Sequence, residues 1–134
     1  MRGHTRILAV ALGLAGAAQA QAQDAAEGAA LYARFCAACH GDDARGGGVM
    51  TPVLTVVPPD LTALSAAGAF PLLRVVRQID GRDPLLAHGG EMPLFGMWFE
   101  SDGADVALSG PGGQPLLVSR PIGDLVAYLI SVQS

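Results

Sequence analysis

The chain has 134 residues, 51% of them hydrophobic but only 5% aromatic, with eight arginines, no lysine and twelve carboxylates. That length holds one small domain and leaves no room for a second. The acidic balance makes nucleic acid a poor candidate partner, because phosphate binding relies on a basic face.

The first residues read as a secretory signal peptide. Arg2 and Arg6 stand near the start, residues 7–18 form a short apolar stretch, and Ala18-Gln19-Ala20 is a small-residue cleavage site. Cleavage is expected after Ala20 or Ala22, leaving Gln21 or Gln23 at the new N-terminus. The apolar stretch is short for a bilayer and is broken by Gly13 and Gly16, so a retained membrane anchor is the weaker alternative. The domain expected to fold is therefore 23–134, roughly 112 residues, in an oxidising compartment outside the cytoplasm. With Arg2 and Arg6 gone, six arginines face twelve carboxylates, a formal charge near −6.

Asp24, with Glu27 three positions on, has the form of a helix N-cap and predicts a helix through about Phe35. Gly28 and Tyr32 share one face of it. There follows Cys36-Ala37-Ala38-Cys39-His40, two thiols about one helical turn apart with an imidazole beside them. This is the arrangement in which two haem vinyl groups become thioethers while the histidine ligates iron. A thioredoxin-like dithiol would follow a strand in a βαβ context, and the residues before Cys36 read as helix instead. A structural zinc site needs four ligands, and the chain offers only Cys36, Cys39, His40 and the distant His88. A plain disulfide is the remaining minor reading. The chain resembles the c-type cytochromes, and a buried porphyrin would supply the flat apolar bulk that its few aromatic residues leave wanting.

The resemblance covers residues 27–96 and 122–130 and implies an all-α class I cytochrome c fold: N- and C-terminal helices crossing, with short helices and long loops around one haem. It places the crossing at Gly28 and Tyr32 against a last helix over about 121–132, with Leu125, Tyr128 and Leu129 on its inner stripe. Residues 41–48, with Asp42, Asp43, Arg45 and three consecutive glycines, read as a flexible loop. Residues 49–59 are extended, and the family segment in which a proline carbonyl accepts a hydrogen bond from the proximal histidine falls on Pro58-Pro59-Asp60-Leu61, with Pro59 preferred over Pro58. A short helix is expected over 62–67, stopped by Gly68. Another starts with Pro71 as its first helical residue and runs to near Gly81, with Leu72, Leu73, Val75, Val76 and Ile79 on its apolar face. Arg74 and Arg77 lie off that face, where simple exposure is the better expectation than pairing with a haem propionate.

A methionine followed by proline in a glycine-rich loop after the third helix is the family's distal-ligand signature, which implies Met92 as the sixth ligand of the iron. A thioether is soft and neutral and raises the reduction potential. His88, Met97, Met50 and an open position are the competitors, and Met1 leaves with the signal peptide. Residues 97–119 depart from a minimal cytochrome. Turn signals dominate them, and they hold either a small hairpin between 106–108 and 116–118 or a cover over one haem edge. Trp98 is expected in core packing or as a propionate donor.

What the resemblance implies is a periplasmic one-electron carrier with one haem c, covalent through Cys36 and Cys39 and ligated by His40 and Met92. It implies no enzymatic activity of its own, and no acid, base or nucleophile constellation stands in the sequence. Its partners would be redox proteins: a dehydrogenase, an oxidase or a respiratory complex. The lysine ring of mitochondrial cytochromes c is absent, so docking would rest on a few arginines, on apolar contact, or on a basic partner surface. Two other readings stand beside this one, the electron-accepting cytochrome subunit of a periplasmic dehydrogenase and a haem sensor in which Met92 does not hold the iron.

Overall fold

The structure is a computed structural model that describes residues 22–82, 90–100, 103 and 105–134. The expected signal peptide and His88 lie outside the described residues.

The first helix, α1 (Ala25–Phe35), starts where the sequence supplies a cap. The Asp24 carboxylate accepts the Ala26 and Glu27 N–H groups at 2.8 and 3.3 Å, satisfying two donors that a helix start leaves orphaned. α1 passes directly into the one-turn helix α2 (Ala37–His40), then into a loop with a 3-10 turn at Thr51–Val53 and a second at Leu61–Ala63. Helix α3 (Leu72–Asp80) is followed by a hairpin of β1 (Val106–Ser109) and β2 (Pro115–Val118), and the last element described is α4 (Arg120–Ser131). The fold is thus mostly helical with a small two-stranded sheet, and an all-α description needs that correction. The hairpin reading of residues 106–118 is the one the structure adopts. It pairs Val106 with Val118 and Leu108 with Leu116 in antiparallel register, and alternation puts Val106 and Leu108 inside.

The frame is the crossing of α1 on α4. A side chain at Gly28 would run into the Asp124 carbonyl oxygen of α4, so the backbones meet and only glycine fits. Tyr32 and Tyr128 close the crossing with ring centroids 5.0 Å apart, and the Asp24 N–H donates to the buried Asp124 carboxylate at 2.7 Å. Ile122, Leu125, Val126 and Leu129 of α4 form the centre of the core with Val75, Val76 and Ile79 of α3. Two local expectations are corrected. Pro71 caps α3 rather than opening it, its carbonyl accepting the Val75 N–H at 3.0 Å. Residues 62–67 form only a 3-10 turn and further turns, because the bonds there run from Ala66 to Ala63 and from Gly68 to Ser65, three residues apart rather than four. α3 ends as expected at Gly81, whose φ of 69° suits glycine.

Candidate functional site

The site is built on α2. Because α1 flows into it without a strand, Cys36 and Cys39 sit one helical turn apart on the same continuous run, both as half-buried free thiols. Burial, with a smaller contribution from the neighbouring Cys39, pushes the Cys36 thiol up to about 11. His40, the last residue of α2, is only 7% exposed. Burial lowers the basicity of its ring, while a contact with the Pro59 carbonyl acts in the opposite direction. That contact places Nδ1 3.4 Å from the carbonyl oxygen of Pro59. Carried as an Nδ1–H donor, the ring leaves the Nε2 lone pair for a metal, the usual division of labour in a metal-binding imidazole.

A one-turn helix cannot satisfy its own last carbonyls, and the loop read from sequence as flexible does so instead. Gly46, Gly48 and Met50 donate their N–H groups to the carbonyls of His40, Cys39 and Ala38 at 2.8, 3.2 and 2.8 Å. The Thr51 hydroxyl donates to the Gly46 carbonyl at 3.1 Å and lies 3.4 Å from that of Cys39. Side chains at Gly46 and Gly48 would collide with the carbonyls of Pro58 and Ala38. The glycines therefore permit close backbone approach, a clasp around the motif. Tyr32, buried in the crossing, donates its hydroxyl to the Gly41 carbonyl at 2.6 Å and so links α1 to the residue after His40. Both features were invisible as site elements in the sequence; the signal available was the Gly46-Gly47-Gly48 run at close distance after the motif.

Met92 is half-buried and packs against the core cluster. Met50 is 43% exposed and Met97 82% exposed. Trp98 is 77% exposed, which overturns the expectation of core packing. Arg74 is exposed, as expected. Phe35, Phe95 and Phe99 pack together beside the motif, with Phe35–Phe99 edge-on at 5.3 Å and Phe95–Phe99 stacked at 5.5 Å. Among the described residues no three His, Cys, Asp or Glu side chains converge on a common metal position. An open hollow of about 700 Å³ between α3 and the hairpin turn is lined by Phe70, Leu73 and Arg74 among others and contains none of the motif's residues.

The family model for cytochrome c oxidase, cbb3-type, subunit III matches residues 23–107. The chain belongs to this family. It is a c-type cytochrome domain, a haem-based electron-transfer module that binds haem c covalently. Searches of curated proteins and of solved structures return no match. The donor set of the cytochrome domain fits one haem: two thiols on one turn, an adjacent buried imidazole with one nitrogen turned to a backbone carbonyl, and an apolar surround.

Proposed function

We propose that this cytochrome domain is an exported one-electron carrier working in the periplasm, with Cys36 and Cys39 holding the haem and His40 and Met92 as its axial ligands. The observation that carries the reading is the buried His40 at the end of α2, directly after both thiols, with Nδ1 directed at the Pro59 carbonyl. The haem supplies a one-electron ferric/ferrous couple when bound. The chain's residues do the rest. Pro59 orients the imidazole, and the clasp from Gly46, Gly48 and Met50 holds the turn that carries both cysteines. Cys36 and Met92, both partly buried, pack against the apolar core. As ligands in both oxidation states, His40 and Met92 would require little rearrangement and would leave no open position for a substrate, which is the chemistry of a carrier.

Export rests on the leader-like residues 1–20, and no helix among the described residues is long and apolar enough to cross a membrane. Sequencing the N-terminus of the purified protein checks this, with Gln21 or Gln23 as the expected first residue. The ligand set is tested by the pyridine haemochrome and oxidised absorption spectra of the wild type and of Met92→Ala. Both should carry covalent haem, and only the wild type should show the weak sulfur-to-iron charge-transfer band. A colourless wild type from a host with working haem maturation would refute the reading, and a band that survives Met92→Ala would remove Met92.

A second reading has an observation of its own. The matched family is named for a subunit of an oxidase, and redox partners are implied by the domain. The same electron-transfer function in a permanent complex would show as co-purification with a larger chain.

A further inference from the structure

Two of the most exposed large apolar side chains among the described residues are neighbours, Met97 and Trp98. Their turn is held on all sides. Phe95 and Gly96 donate their N–H groups to the carbonyls of Ile79 and Asp80 at the end of α3, both at 2.9 Å, and Trp98 and Phe99 donate back to Phe95, again at 2.9 Å. Gly96 admits no side chain, because Asp80 occupies the space. Phe99 is buried and Phe95 half-buried, so the same turn that anchors two aromatic rings inward presents Met97 and Trp98 outward. The inward rings pack on Phe35, at 6.3 Å for Phe95 and 5.3 Å for Phe99, and Phe35 directly precedes Cys36. The exposed pair is thereby fastened beside the cofactor's attachment point. An apolar pair so exposed on a rigid turn is the composition of an interface anchor, since tryptophan and methionine are enriched in interface cores.

The charges around it select the occupant. Asp80 and Glu100 bracket Arg82, which bonds Asp80 at 2.5 and 3.0 Å and Glu100 at 3.5 Å. Arg82, Glu100 and the exposed Asp105 line one hollow. Among the described residues, three carboxylates thus stand on this side with two guanidinium groups, Arg82 and the Arg34 that stacks over Phe35, on a domain whose formal charge is near −6 without Arg2 and Arg6. We infer that Met97 and Trp98 are the apolar anchor of a docking surface for a redox protein whose own contact patch is apolar at the centre and rimmed by lysine or arginine. The inference rests on the electron-carrier reading. In the complex one electron leaves this domain's haem and one is taken up by the partner's redox centre, with no bond made or broken.

The test uses the haem-loaded protein and, as probe, a lysine-rich mitochondrial cytochrome c. Trp98 is the only tryptophan, so its indole N–H is a single resonance. At low salt the probe should shift or broaden that resonance, and added salt should reverse the effect. Stopped-flow electron exchange with the probe should fall about tenfold in Met97→Ala/Trp98→Ala, as for removal of an interface anchor, and should weaken in Asp105→Asn. Exchange with hexaammineruthenium, which needs no docking surface, should change less than about twofold. An unmoved indole resonance, exchange with the probe unaffected by the double variant, or exchange that speeds up with salt would overturn the inference. So would an indole resonance already displaced by the iron in the free oxidised protein and insensitive to the probe, since the ring would then cover the haem. Absence of exchange with hexaammineruthenium in the wild type would instead defeat the carrier reading beneath it.

Discussion

Tyr32 performs two tasks with one side chain. Its ring fills the helix crossing against Tyr128, and its hydroxyl donates to the Gly41 carbonyl. Tyr32→Phe keeps the first and deletes the second. The Gly41 carbonyl retains the Ala44 N–H at 3.1 Å, so no acceptor is orphaned and the cost should be about 1 kcal/mol, measured by denaturant unfolding of the haem-loaded protein. Asp60 permits a pH prediction. Its carboxyl is held below its ordinary value of 3.8, chiefly by the Thr62 hydroxyl and N–H, at 2.6 and 2.8 Å. A depressed carboxyl stabilises the fold above its unfolded value, and the gain disappears as pH falls through the folded one. The stability difference between wild type and Asp60→Ala should therefore be full near neutrality and shrink below about pH 3.8, as read by unfolding curves across the acid range.

At the scale of elements, two backbone contacts decide whether the cofactor turn is held. The first is Gly28 against the Asp124 carbonyl, where a methyl would have to push α1 off α4. Gly28→Ala should cost about 3 kcal/mol, the upper range of overpacking, because the obstacle is backbone and cannot swing aside. The second is the clasp. Gly48→Ala forces a methyl onto the Ala38 carbonyl and loosens the bonds from Gly48 and Met50, so about 2 kcal/mol of stability should be lost. Gly47→Ala next to it meets no atom, and its melting temperature should stay close to that of the wild type. The comparison separates a close-approach glycine from a loop glycine.

For the molecule as a whole, the small sheet and α4 form one support, with Gly123 seated against Val106 of the hairpin. The C-terminus ties this support to the Pro59 segment. The Gln133 side chain donates to the Leu61 carbonyl at 2.8 Å and accepts the Ser65 N–H at 2.9 Å. Covalent attachment makes the cofactor part of the chain. Extraction with acidified organic solvent should leave the colour on the wild-type polypeptide and release it into the solvent from Cys36→Ser/Cys39→Ser, read by absorbance of the solvent phase. Truncation before Gln133 should lower the melting temperature by several degrees, since about 1 kcal/mol per lost hydrogen bond converts to roughly that shift in a domain of this size.

The crossing at Gly28 followed from the family resemblance, whereas the motif, the capped first helix and the amphipathic stripe of α3 were legible in the residues themselves. Each is a local pattern: a carboxylate three residues from its target, thiols one turn apart, apolar positions at helical spacing. The hairpin was one of two readings, because strands of four residues carry too little periodicity to exclude a cover. What only the tertiary structure decided were contacts across long sequence distances. The run of glycines is a clasp because the chain returns to α2. Trp98 faces outward because Phe95 and Phe99 occupy the inside. The Pro59 carbonyl beside His40 is not among these, since the family resemblance already prefers it over Pro58 and the structure supplies the 3.4 Å contact. Composition and spacing determine which groups are available for chemistry. Their partners are set by how the backbone folds back, and that depends on packing distributed over the whole domain rather than on any one segment.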